Sequence, residues 1–290
     1  MAEGRIIKGI GGFYYVRTED GAIHECRAKG KFRRENITPL IGDRVIFSLP
    51  SSTSIGVVER ILPRRNMLVR PAVANIDMLV IVISADKPEP DLVMADKLLL
   101  YAEYNSLDVV IAVNKMDAGE DRISCQYVRS GVPVLQISAN TGQGMEALKD
   151  MIGDRCVCLA GQSAVGKSSI INYLMDEKIM DVGGLSAKTD RGTHTTRHSE
   201  LLCIPGCRGT IIDTPGFSIL QAIEIMPEEL GRFYRDFDGI RCRFHGCLHK
   251  SEPGCGVKLK AAADTMFSER YIRYIKILDE IVERKEKEYD

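Results

Sequence analysis

Residues 161–169 read GQSAVGKSS, and they decide the fold. They fit the G-x-x-x-x-G-K-[ST] pattern of a phosphate-cradling loop. The apolar run RCVCLA precedes them and the helical stretch IINYLM follows, which is the strand–loop–helix setting the pattern requires. Gly161 and Gly166 let the backbone wrap a phosphate with no side chain in the way. The N–H groups of Gln162, Ser163, Ala164, Val165 and Ser169 and the helix N-terminus face negative charge. Lys167 is placed to reach β and γ phosphates, and Ser168 to offer its hydroxyl to Mg²⁺. A glycine turn with an incidental lysine is the bland alternative, and the joint context argues against it.

The surroundings read as a parallel α/β sheet. IDMLVIVISA (76–85), LDVVIAV (107–113) and VPVLQIS (132–138) are apolar runs suited to strands covered on both faces. DLVMADKLLLYAEYNS and GMEALKDMIGD carry helical patterns between them, and strand–helix alternation implies parallel strands. GTIID (209–213) supplies one more strand, and Leu201 to Cys207 another, joined to it by a turn at Pro205-Gly206.

VNKMD (113–117) ends the second of these strands. Asp117 suits the ring N–H and amino donors of guanine, a pair that adenine lacks. Asn114 can bond the base edge, and the Lys115 stem can lie along the ring. Ser138, Ala139 and Asn140 end the next strand, where the Ala139 N–H is placed to meet the guanine oxygen. DTPG (213–216) gives Asp213 for the shell of Mg²⁺ and Gly216 as a γ-phosphate contact. The long polar stretch GGLSAKTDRGTHTTRHSE between loop and DTPG reads as a switch segment. Thr195 or Thr196 would complete the Mg²⁺ shell, with Thr196 favoured. The parts are complete but rotated, since the base motif precedes the phosphate loop. A chain cut moved to a surface loop leaves such a core intact.

Two flanking regions differ in character. Residues 1–69 carry twelve Lys/Arg against seven Asp/Glu and four β-rich runs, GFYYVRT, AIHECRAK, DRVIFSL and SIGVVERIL. They suggest an OB-like barrel able to bind RNA, with RAKGKFRREN as a basic loop-and-strand for phosphate contact. The field of such a region suits a polyanion. Residues 226–290 hold a helix-like stretch, EELGRFYRDFDG, then RCRFHGCLHKSEPGC, then a long final helix. Cys242, Cys247, His249 and Cys255 supply three thiolates and an imidazole, the donor set of a structural Zn²⁺. His245 is a competing donor read as peripheral. The other cysteines, at 26, 125, 156, 158, 203 and 207, read as small hydrophobes. Tyr271, Tyr274, Ile275, Leu278 and Ile281 recur at helical spacing as packing residues.

The boundaries expected are 1–69 for the barrel, 70–225 for the nucleotide domain and 226–290 for the zinc-binding and helical domain. No apolar run reaches membrane-spanning length and no signal-peptide core is present, so the expectation is a cytoplasmic protein without membrane association. Nine cysteines, an odd number, in a chain of 290 residues argue against a disulfide framework. Two other classes compete. One is a P-loop ATPase or small-molecule kinase, which the base motif argues against. The other is an RNA-binding adaptor, stabilised by nucleotide without turnover.

GDRV (42–45), VRPAVANID (69–77), VNKMD, ISANTGQG, GQSAVGKSS, RGTHTT, DTPGF and CRFHGCLHKSEPGC, in this order, resemble the bacterial circularly permuted GTPases of the RsgA (YjeQ/YloQ) type. The resemblance covers nearly the whole chain. It implies an OB barrel, a permuted GTPase domain and a C-terminal zinc domain with helices. It implies late maturation of the small (30S) ribosomal subunit, contact with 16S rRNA, and GTP hydrolysis to GDP and phosphate stimulated by that subunit. A monomer is expected. The segment after DTPG has no glutamine in the water-orienting place of Ras-like enzymes, and His194 in the switch is the candidate for that role beside Lys167, in agreement with the resemblance. Ala164 stands where the family often has Gly, and Thr193 where it usually has Arg.

Overall fold

The short β-rich runs at the start of the chain close on themselves. The computed structural model describes residues 1–50, 54–68, 72–177, 200–213 and 224–289. Strands β1 (Ala2–Ile10), β2 (Phe13–Arg17), β3 (Ile23–Ala28), β4 (Arg44–Ser48) and β5 (Gly56–Ile61) carry the alternating apolar residues. β1 pairs antiparallel with β2, and β2 with β3. β3 runs parallel to β5, β5 antiparallel to β4, and β4 returns to β1. The circuit β1-β2-β3-β5-β4-β1 is a closed five-stranded barrel, which leaves no free edge. Ile6, Val16, Cys26, Phe32, Val45, Phe47 and Val58 fill it. Part of RAKGKFRREN departs from the expectation, because Gly30–Arg34 is a one-turn helix, α1, whose Phe32 plugs the barrel.

The chain folds as two compact units. The first holds Met1–Leu79, Lys149–Leu159 and the described part of Ser168–Ser218. Beyond the barrel it contains a two-rung antiparallel pair of β6 (Met67–Leu68) and β7 (Val73–Ala74). In it, β11 (Cys156–Ala160) pairs parallel with β13 (Thr210–Asp213), and β13 antiparallel with β12 (Glu200–Cys203). β12 meets β1 through one rung, Lys8↔Glu200, where the two side chains form a 2.7 Å ion pair. Asp77 clasps β11 through its N–H to the Cys156 carbonyl (2.8 Å) and its carboxylate to the Cys156 N–H (2.7 Å).

The second unit holds Val80–Leu148, Ala160–Lys167 and the described part of Ile219–Asp290. β8 (Met78–Ser84) enters it, buried at every position, as expected of a strand covered on both faces. β8, β9 (Asp108–Asn114) and β10 (Val134–Gln136) are neighbours, with β9 and β10 parallel. Helix α2 (Leu92–Tyr104) starts after Pro90, and the Asp91 carboxylate caps it by accepting the Met94 N–H at 2.9 Å. α3 (Ser124–Tyr127) lies in this unit, while α4 (Met145–Ile152) and α5 (Lys167–Leu174) each run across the division between the units. EELGRFYRDFDG forms 3-10 turns at Pro227–Phe233 and Arg235–Phe237 rather than an α-helix. α6 (Gly256–Ala263) and α7 (Thr265–Tyr289) follow. On α7, Tyr274, Leu278 and Ile281 are buried as the spacing predicts, while Ile275 is only half-buried and Ile277 takes the deeper place.

A buried ion network lies beneath α7. Asp96 of α2 is 1% exposed and accepts from Arg273 Nε at 2.6 Å. Arg270 lies 3.1 Å from the Asp236 carboxylate and stacks over the rings of Tyr127 and Tyr234. Removing one member leaves the others charged in an apolar setting, which costs about 3–5 kcal/mol. Asp96→Ala is expected to lose about that much in a urea titration, and far more than Lys97→Ala, whose partner Glu280 is half-exposed.

The cysteines divide. Cys26, Cys156 and Cys158 are buried as small hydrophobes, and burial pushes the Cys26 thiol up to about 11. Cys125, on the short helix Ser124–Tyr127, and Cys203, the last residue of β12, are instead exposed, and Cys207 beyond that strand is intermediate. Among the described residues no helix is long and apolar enough to cross a membrane.

Candidate nucleotide site and metal cluster

β11 ends at Ala160 and the chain turns sharply into the loop 161–166. Gly161 (φ 145°) and Gly166 (φ 101°) take conformations that L-residues rarely adopt. A Cβ on Gly161 would stand 2.2 Å from the Val82 carbonyl, and one on Gly166 2.3 Å from Asn114 Nδ2. Both contacts are impossible for any larger residue. Ala164 also sits left-handed, at φ 64°. That conformation costs an alanine about 1 kcal/mol, so the departure from glycine stores strain in the loop. Lys167 opens α5 and its ammonium spans the loop, donating to the carbonyls of Gly161 (2.8 Å) and Gln162 (2.7 Å). Ser168 and Ser169 lie in the first turn of α5.

The base motif is bound to this loop. Asn114 is 2% exposed. Its Nδ2 donates to the Val165 carbonyl at 2.9 Å, and its Oδ1 accepts the Ala139 N–H at 3.1 Å. Lys115 (φ 67°) donates its ammonium to the Ala164 carbonyl at 2.8 Å. Asp117 accepts from the Ser138 hydroxyl (2.6 Å) and from Asn140 Nδ2 (3.1 Å). Those two bonds hold its carboxyl below the usual carboxylate range, so it is acceptor-only at neutral pH. Ser138 is fully buried, and its hydroxyl also accepts the Thr141 N–H at 3.1 Å. The structure thus brings together Asn114, Lys115, Asp117, Ser138, Ala139, Asn140 and the loop from Gly161 to Lys167. His194, Thr196 and Gly216 lie outside the described residues, and Asp213 is described only as the last residue of β13.

The second constellation is the cysteine–histidine knot. One donor atom each from Cys242, Cys247, His249 and Cys255 lies within 4.8 Å of all the others. His249 Nδ1 is 3.4 Å from both Cys242 Sγ and Cys255 Sγ, and those two sulfurs are 3.8 Å apart. Four donors about 2.3 Å from a common centre give tetrahedral edges of roughly 3.8 Å between sulfurs. The cluster therefore fits one tetrahedral metal ion. His249 is left-handed (φ 58°), and Gly246 and Gly254 take positive φ as well, so the loop wraps tightly. The Glu252 carboxylate gathers the N–H groups of Leu248, Lys250 and Ser251 (2.6, 3.0 and 3.1 Å). Tyr271 and Tyr274 of α7 donate their hydroxyls to the carbonyls of His249 (2.7 Å) and Leu248 (3.0 Å).

Sequence reasoning missed Asp96, Arg270 and Arg273. Charged residues on helices read as solvated faces, and only their spacing among buried neighbours carries a contrary signal.

A phosphate loop joined to a guanine-type base motif that precedes it in the chain defines a circularly permuted GTPase. The RsgA GTPase profile matches residues 61–223, and the RsgA N-terminal domain profile matches 3–58. The small ribosomal subunit biogenesis GTPase RsgA of Caldanaerobacter subterraneus subsp. tengcongensis is 42% identical over 293 residues, covering 99% of this chain and 98% of the relative. The protein of the same name from Ruminiclostridium cellulolyticum is 43% identical over 286 residues, covering 96% and 93%. The crystal structure of YjeQ from Thermotoga maritima superposes with a TM-score of 0.79 at 34% identity, covering 97% of this chain and 98% of that one. The crystal structure of YloQ, described as a circularly permuted GTPase, gives 0.75 at 33% identity, covering 98% and 96%. The chain belongs to the RsgA GTPase family.

Proposed function

We propose that this chain is a GTP hydrolase of late small-subunit maturation in the cytoplasm, acting as a monomer on 16S rRNA within the 30S particle. The observation that carries the reading is the pair of bonds from Asn114 and Lys115 to the Val165 and Ala164 carbonyls, which hold base motif and phosphate loop in one place. Asp117 reads guanine, and the Gly161–Ser169 loop takes the phosphates. Ser168 and Thr196 would hold Mg²⁺ bound with the nucleotide, and the ion would supply charge neutralisation to the phosphates. Lys167 and the loop N–H groups stabilise charge developing on the transferred phosphoryl group. His194 orients the attacking water, Asp213 belongs to the shell of the ion, and Gly216 meets the γ-phosphate. Zinc is the ion assigned to Cys242, Cys247, His249 and Cys255, since four filled positions leave none open for chemistry. The domains follow the division 1–69, 70–225 and 226–290.

The barrel offers a face that supports an RNA partner. A groove of about 530 Å³ is lined by Phe13, Tyr14, Arg27, Lys29 and Arg33 among others. The Arg27 guanidinium lies 4.6 Å from the centre of the Phe13 ring. Cations for phosphates beside rings for bases suit single-stranded nucleic acid.

Turnover of GTP with and without isolated small ribosomal subunits tests the proposal. Slow hydrolysis by the chain alone and faster hydrolysis on the subunit are expected. His194→Ala is expected to lose the stimulated rate while GDP affinity stays unchanged. Absence of turnover in both conditions would point to the adaptor reading, and full stimulation of the variant would remove His194 from the mechanism.

A further inference from the structure

The base motif is braced from a third side, by the turn that follows β8. Ser84, the last residue of β8, is fully buried. Its Oγ donates to the Lys87 carbonyl at 2.9 Å. That same carbonyl accepts the Lys115 ammonium at 2.5 Å, and the ammonium also reaches the Ala164 carbonyl of the phosphate loop. One residue along the turn, the Ala85 N–H donates to the Asn114 carbonyl at 2.8 Å. Both leading residues of the clamp are therefore tied to this turn, Asn114 by its backbone and Lys115 by its charge.

The chemistry makes Ser84 the controlling group. A lysine ammonium is a mobile point charge on a four-carbon stem. Among the described residues no carboxylate pairs with Lys115; two carbonyl dipoles from two different loops hold it. A carbonyl oxygen has two lone pairs. The Ser84 hydroxyl takes one at Lys87 and fixes that peptide, so the other faces Lys115. We propose that Ser84 is a positioning residue of the base site, holding the Lys115 ammonium against the phosphate loop through the Lys87 carbonyl and so setting how tightly a guanine nucleotide is retained. This rests on the reading given under Proposed function. Ser84 touches neither nucleotide nor reacting atoms.

The test is a double-mutant cycle of Ser84→Ala and Lys115→Met, read by GDP affinity and dissociation rate on the full chain. Ser84→Ala alone is expected to weaken GDP about fivefold, mostly through faster dissociation, the effect of one neutral hydrogen bond. KM for GTP rises and kcat is unchanged. In the Lys115→Met background the same substitution is expected to change affinity less than twofold, because the ammonium it positions is gone. Ser84→Cys, alike in shape with a larger and more weakly donating sulfur, gives an intermediate loss and serves if the alanine variant does not fold. Unchanged affinity in the Ser84 variants, or an equal loss in both backgrounds, overturns the proposal. Failure of the unaltered chain to prefer GDP over ADP overturns the nucleotide reading itself, and this inference with it.

Discussion

Asp117→Asn is expected to lower GDP affinity at least about a hundredfold while raising affinity for xanthosine diphosphate. The carboxylate is held by the Ser138 hydroxyl and by Asn140, which leaves it ionised and aimed. Guanine presents a ring N–H and an amino group to it. A hydrogen bond to a charged group is worth about 1.5–3 kcal/mol, and two are lost. Asparagine keeps one acceptor but turns an amide N–H toward a donor, which adds repulsion. Xanthine carries an oxygen in place of the amino group and accepts that N–H. The buried Ser138 hydroxyl can still donate to the new side chain, so folding is expected to change little. Titration with fluorescent GDP and XDP decides the matter, and equal preference in variant and parent would exclude Asp117 as the base reader.

The metal cluster supports a second large effect. Cys255→Ser, or stripping the ion with a chelator, is expected to remove protection from amide exchange across α6 and the first half of α7. Structural zinc contributes about 10–16 kcal/mol in small peptides, comparable to the whole stability of a domain. Cys255 is 2% exposed and caps α6, and serine keeps an oxygen for that cap. The loss then reports on the ion. The hydroxyls of Tyr271 and Tyr274 depend on carbonyls of the ligand loop, so α7 loosens with it. GDP affinity is expected to hold, because among the described residues no base-site bond is shared with the cluster. One zinc per chain by metal analysis, lost in Cys255→Ser, checks the ligand assignment; unaltered metal content in that variant would refute it.

Much of this was legible in the sequence because side chains with unusual chemistry were spaced at intervals set by strands and turns. GQSAVGKSS, VNKMD and the cysteine–histidine knot announce themselves, and apolar runs place the strands between them. Backbone groups leave no such trace. The Lys87 carbonyl is invisible in a string of letters, and so is the left-handed geometry of Ala164 that makes its departure from glycine matter. Short elements are equally opaque. α1 is one turn long, below the length at which helical period can be read, and its Phe32 is buried only because the barrel needs a plug. The 3-10 turns near Tyr234 carry helix-like composition but are set by tertiary packing of Tyr234 and Phe237 against Tyr274. Arg270 and Arg273 look like solvent-facing charge until Asp96 and Asp236 are found opposite them.

The amide of Asn114 reaches across 51 residues of sequence to Val165. Such a cross-stitch makes the binding pocket indifferent to the route the polypeptide takes between its walls. Ends can be relocated by gene rearrangement to any surface bend that carries no stitch, and the socket keeps its shape. Re-threading of this kind moves both termini while the cradle stays as it was.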